Sequence, residues 1–453
     1  MNRARTLQVF DTELPADTVE WCPTEGWQTL LACGTYKLVE VDGKTEPGTA
    51  SRVGDSNAGG TNPCSSQSRL GHVNLFHYDA TLPACPLRAL QQWDTAGVLD
   101  LKWQKQGSTQ LPVLAVASAQ GTLDLHQLVD SNVQGDCSQL KLNSSLVLDP
   151  TRLVLSLDWA NPKHGSEWQR LVCSDSCGEL WLIDPGVARP LVHWHAHVFE
   201  AWVAAFDAWN PHLLYSGGDD GKLCAWDPRQ VERAIFTNTR HGVGVCSISS
   251  SPHQEHLLAT GSYDEQVFFW DSRSLCIPLN KCEVGGGVWR LKWHPRRKGL
   301  LLAAAMHNGF HIIEHDDQAD DRNSSCHVVS SYIAHESLAY GADWSWLAPV
   351  KSLPSLPPSS RCDDSSITSS EGAALSSIGQ TQNFRILYES PTSTFDIELE
   401  DEPEQRETQE DTLANEAAKL HITKGPFQES ESSLVATCSF YDHMLHVWCW
   451  QHD

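Results

Sequence analysis

The chain has 453 residues, 40% of them hydrophobic, and a formal charge of −25 from 32 basic and 57 acidic side chains. No apolar run approaches the roughly 18 residues of a membrane-spanning helix, so no membrane association is expected. The acid excess argues against a duplex nucleic-acid binder, which needs clustered Lys and Arg against phosphates. Met1 to Asp17 carries Arg3 and Arg5, then Asp11, Glu13 and Asp17 with no apolar stretch between. No signal or transit peptide is read there, and the expected location is the cytoplasm. The 15 cysteines are scattered with no Cys-x-x-Cys pair, which predicts reduced thiols and no metal site.

In chain order the sequence is a string of short strands. Leu7 to Phe10 stands alone ahead of the first group. Seven inner strands then end near Trp21, Trp103, Trp159, Phe206, Ser250, Trp293 and Trp344. Leu213–Asp227 lies under Leu257–Asp271, 44 residues away, without a gap, and each reads strand, tight turn, strand. Leu171–Asp184 precedes them by one period and Leu301–Ile313 follows by one. A period near 44 residues with four short strands is the signature of a WD-repeat propeller. The expectation is an all-β, seven-bladed WD40 β-propeller. Its last blade ends at Trp448 to Trp450, on a third strand, and Leu7 to Phe10 is expected to supply the fourth and close the ring.

The boundaries read as a closing strand and start of the first blade over 1–36, an inserted loop over 37–69, blades over 70–346, a second insertion over 347–432 and the end of the last blade over 433–453. Both insertions are expected to be disordered. The second is rich in Ser and Pro before turning acidic around Glu398 to Asp411, and 351–432 holds 16 acidic against 6 basic residues. Such a composition cannot bury enough apolar surface to order itself.

A polar set recurs at fixed offsets of 23 and then 6 residues: His197, Asp220 and Trp226, then His241, Asp264 and Trp270. A third set, His335, Asp442 and Trp448, is split by the second insertion. In each, the histidine is expected to bond the turn aspartate while the indole N–H meets a buried acceptor, stapling the blade's loops. The other four repeats are expected to rely on apolar packing.

No nucleophile elbow, phosphate-binding glycine loop or zinc helix occurs. Gly54-Asp-Ser-Asn57 superficially resembles the opening of an esterase motif but has nothing to orient it. Polar and aromatic residues that the repeat does not need remain: Asp219, Glu265, His307 and His443 near the aspartate turns, and Trp202 beside the loop of His197. Cys246 reads as a buried hydrophobe, and Arg290 as an anchor for a carboxylate or oxyanion near the channel mouth.

The runs Phe199-Glu-Ala-Trp202, Gly286-Gly-Val-Trp-Arg290, Tyr340-Gly-Ala-Asp-Trp-Ser-Trp346 and Ala436-Thr-Cys-Ser-Phe-Tyr-Asp-His443 go beyond generic WD repeats. With them the chain resembles the WD-repeat diphthine methyl ester hydrolases of diphthamide biosynthesis. The resemblance implies a carboxylic ester hydrolase without cofactor that demethylates diphthine methyl ester on translation elongation factor 2. A non-catalytic adaptor docking that factor or a trafficking complex is the alternative, and a monomer is expected. Diphthine carries a trimethylammonium group, which aromatic faces bind, so Trp202, Trp289, Tyr263, Tyr340 and Tyr441 are candidates for a cage. For the hydrolysis, His307 or His443 is the candidate base, Asp219, Glu265 or Asp343 its orienting partner, and Arg290 the oxyanion holder.

Overall fold

Runs of three to eleven residues rich in Val, Leu, Ala and Trp make the strands, buried almost throughout on the inner strands of each blade and largely exposed on outer ones. A computed structural model describes residues 3–39, 68–82, 85–105, 111–129, 139–161, 169–316, 325–348 and 431–452. They form seven antiparallel sheets in a ring, a seven-bladed propeller, with no helix among the described residues. The inner strands are Ala16–Trp21, Val98–Trp103, Val154–Trp159, Val203–Phe206, Val245–Ser250, Val288–Trp293 and Ala339–Trp344. Each ends where the sequence places it.

The seventh blade is built from both ends of the chain. Ala4–Asp11 pairs antiparallel with Met444–Gln451, outside Ser432–Ser439 and Ala339–Trp344, so the predicted closure is present. Thr12 adds its backbone N–H and hydroxyl to the carbonyl of His443, both at 2.9 Å. The flanks of the first insertion are strand: Lys37–Val39 pairs with Ser68–Leu70. Most of that insertion, with Gly54-Asp-Ser-Asn57, and residues 349–430 of the second lie outside the described residues. Every described cysteine is a free thiol.

Recurrent tryptophans stitch the blades together. The indole N–H groups of Trp103, Trp159, Trp293 and Trp344 donate to the carbonyls of Glu20, Lys102, Ser249 and Lys292 on the preceding blade, at 3.0–3.1 Å. A large apolar ring thus fills the gap between wedges while its single polar atom is satisfied.

Two staples form as predicted, with a further member that the offsets do not reveal. His197 Nδ1 donates to Asp220 at 2.9 Å, and its Nε2 meets Ser216 Oγ, which also accepts the Trp226 indole. Thr260 plays the serine's part for His241, Asp264 and Trp270, all at 2.8 Å. Burial works against the charge of Asp220 and Asp264, yet the histidine bonds hold both carboxyls below their ordinary range. The third staple differs from expectation. His335 reaches Asp442 only through Ser439, in two bonds of 2.5 Å, while Thr437 joins its Nε2 to Trp448. The expectation that four blades lack a staple is also corrected: in the third blade Arg152 replaces the histidine, bonding Asp175 at 3.0 Å, and Trp181 donates to the same carboxylate at 2.9 Å. Asp264→Ala leaves the His241 N–H without its acceptor and is expected to cost about 1–3 kcal/mol. A lower urea midpoint at unchanged slope would show it; an unaltered midpoint would remove the staple's energetic role.

Candidate active site

Six of the seven inner strands slip register at their second residue, between Ala16/Thr18, Val98/Asp100, Val154/Ser156, Val245/Ser247, Val288/Arg290 and Ala339/Ala342. A β-bulge re-aims the extra side chain, and the repetition sets these residues in one layer around the channel. Its members are Leu99, Leu155, Cys246, Trp289, Tyr340 and, in the first blade, Asp17; Trp202 holds the place in the fourth. The apolar six pack into one buried cluster with Tyr36, Met306 and Leu338, while Tyr263 and Phe440 lie partly buried against it. Trp289 stacks on Tyr340 at 4.9 Å and meets Trp202 at 5.7 Å, and Tyr340 meets Phe440 at 5.0 Å.

Asp17 breaks this layer. It is 1% exposed, and neither carboxyl oxygen has a hydrogen-bond partner. Burial pushes its pKa up to about 8, against the pull of Arg290 and with the help of Asp100. The Trp289 indole N–H is likewise buried without a partner.

Beneath this layer lies Arg290, whose guanidinium reaches across to Asp100 at 3.2 Å. Burial opposes the Arg290 charge, but Asp100, Asp17 and Glu20 together raise its pKa. Asp100 also accepts the backbone N–H of Leu157 at 3.0 Å. Three residues farther along each inner strand than the aromatic layer, about 10 Å by strand rise, sits a second charged level. There Lys292 pairs with Glu20 and lies 3.8 Å from Asp343, and Lys102 lies 3.5 Å from Asp158. Burial raises the Asp343 pKa to about 7 despite Lys292. A cavity of about 180 Å3 reaches up from the ends of the inner strands to Arg290, lined by Glu20, Lys102, Asp158, Lys292 and Asp343 among others. None of the seven layer residues lines it: the cavity ends at Arg290, below the aromatic layer.

The structure gathers only part of the predicted site. Trp202, Trp289, Tyr263 and Tyr340 come together, and Asp219 joins them by accepting the Trp202 indole N–H at 3.1 Å. Arg290 lies directly below, inside the channel rather than at its mouth. Tyr441 is 55% exposed on its turn and touches Phe440. Glu265 and His443 take positive φ, 66° and 61°, in tight turns where Gly121, Gly178 and Gly221 serve other blades. They stand where the backbone needs a left-handed residue, and Glu265 points to solvent. His307 is exposed on its turn. Asp343 lies at the far charged level, so it is not placed to orient a rim histidine. Sequence reasoning missed Asp17, Asp100, Glu20 and Lys292. A signal existed: Ala16-Asp-Thr-Val-Glu-Trp21 under Val288-Trp-Arg-Leu-Lys-Trp293 sets an acid opposite a tryptophan.

Comparison with known proteins fits this architecture. Residues 233–271 match the model for the WD domain, G-beta repeat. Human diphthine methyltransferase is 39% identical to the chain, covering 98% of each. The chain belongs to the diphthine methyltransferase family. The fission yeast diphthine methyltransferase is 30% identical over 74% of this chain and 89% of its own. Outside the diphthine methyltransferase family, human EARP and GARP complex-interacting protein 1 is 23% identical over 31% of the chain. Among solved structures, a chain from the crystal structure of the mitotic checkpoint complex superposes with a TM-score of 0.53 at 19% identity, over 76% of this chain and 87% of that one, a likeness of fold alone.

Proposed function

We propose that the protein is a cytoplasmic carboxylic ester hydrolase that removes the methyl ester from diphthine on translation elongation factor 2, in diphthamide biosynthesis. One observation carries the reading: a layer of aromatic faces holding Trp202, Trp289 and Tyr340, with an unpaired carboxyl at the same level, stands directly above the guanidinium at which the cavity ends. Diphthine presents its trimethylammonium one carbon from the ester carbonyl. Aromatic faces attract such a cation by about 0.5–2 kcal/mol each, and the carbonyl then lies within reach of groups at the adjoining level. Arg290 supplies N–H donors for the oxyanion that forms on attack by water. The names of the relatives, diphthine methyltransferase, put the same modified residue in view.

The test is incubation with elongation factor 2 bearing methyl-esterified diphthine, followed by mass spectrometry of the modified peptide. Conversion of ester to free acid is expected, and Trp289→Ala should abolish it. Tight binding with no conversion would select the adaptor reading instead, which the exposed apolar Val198, Phe199 and Ile333 favour.

A further inference from the structure

We propose that Asp17 is the general base of the ester hydrolysis, held unpaired in the layer just above the cavity to activate water against the substrate carbonyl. The inference rests on the hydrolase reading and names the group that reading lacks. Three observations point to it. Asp17 occupies the bulge position that the other blades fill with apolar side chains, at the same level of the ring as Trp289 and Tyr340. Both its oxygens are buried without a hydrogen-bond partner, a state with no structural benefit that leaves them available to a ligand. Arg290, the oxyanion donor, is its strongest charged neighbour. The rim residues His307 and His443 share none of these features.

In the step itself, water oxygen bonds to the carbonyl carbon as its proton passes to the Asp17 carboxylate. The tetrahedral intermediate collapses with cleavage of the carbon–methoxy bond, and the Asp17 proton goes to the leaving oxygen as methanol. The product acid sheds its own proton to solvent. The charged and titratable groups facing Asp17 come from four blades: Tyr36 on its own, Asp100 on the second, Arg290 on the sixth and Cys438 on the seventh. In the free enzyme Asp17 is largely neutral at pH 7, since its pKa is pushed up to about 8. A trimethylammonium placed beside it favours the carboxylate, so substrate binding itself generates the base.

Asp17→Asn is nearly isosteric, and its fold is checked by melting. Its kcat is expected to fall by about a hundred-fold or more, the usual worth of a general base, with KM little changed. Wild-type kcat/KM should rise with pH through a limb near 8, kcat should show that limb at lower pH, and the variant should lose both. A folded Asp17→Asn that keeps wild-type turnover and its pH limb overturns the proposal while leaving the hydrolase reading intact; a wild-type protein that binds the ester without converting it overturns both.

Discussion

Asp17→Asn is expected to melt higher than the wild-type ring, with a gain that grows with pH. In the unfolded chain this carboxyl has an ordinary pKa near 4, whereas in the ring burial raises it to about 8. Between those values the folded state holds a proton that the unfolded state has released, so wild-type stability falls as pH rises through the window. The slope approaches about 1.4 kcal/mol per pH unit for one such group. The loss is absent near pH 4 and complete above pH 8, where it amounts to a few kcal/mol. Asparagine does not titrate and escapes it. Asp343 is raised in the same direction but is present in both proteins and cancels. Melting temperatures of the two proteins from pH 5 to 9 measure the difference; curves that stay parallel would mean that Asp17 titrates normally. A substitution that stabilises the ring and stops turnover is the mark of a group kept at a cost to stability.

The second large effect is at the far charged level. Lys292 is the cation nearest both Glu20 and Asp343. Lys292→Met leaves two carboxyls buried in the channel without it, and breaking a buried pair in this way typically costs about 3–5 kcal/mol. Urea unfolding at pH 8 should show the loss. Below pH 7 it should shrink, because Asp343 then takes up a proton and ceases to need the lysine. Adding Glu20→Gln and Asp343→Asn should restore most of the stability, since the three groups act as one network and their effects do not add. A triple variant as unstable as the single one would refute the electrostatic account.

Seven blades, their inner strands and the closing strand were legible because each leaves a local mark: a bulky residue at a strand end, a turn aspartate, a histidine 23 residues before it. The network members were not. Ser216, Thr260 and Thr437 carry the staples but are ordinary strand residues in the sequence. Arg152 stands 23 residues before Asp175, with Trp181 six after it, so the spacing was present and only the arginine in the histidine's place concealed it. The aromatic cage was half legible: Trp289 and Tyr340 stand at equivalent bulges and Trp202 holds the same place just ahead of its strand, whereas Tyr441 sits on a turn with one residue more than its counterparts. Rim histidines drew notice for their residue type, although His443 and Glu265 occupy their places for backbone reasons. Asp17 is the reverse case, an acid in a run that looks unexceptional until the strands are stacked as a ring.

Because the seventh blade unites residues 4–11 with residues 432–451, it pairs strands from far-separated parts of the chain. The Thr12–His443 contact spans 431 positions of chain, and contacts of that range form late because the intervening loop must first be closed. Until then the first blade lacks a neighbour on one side, and Asp17 has no Arg290 or Tyr340 near it. On the proposed role of Asp17, a chain that has not yet closed its seventh blade would lack the assembled site, however well its other blades have formed.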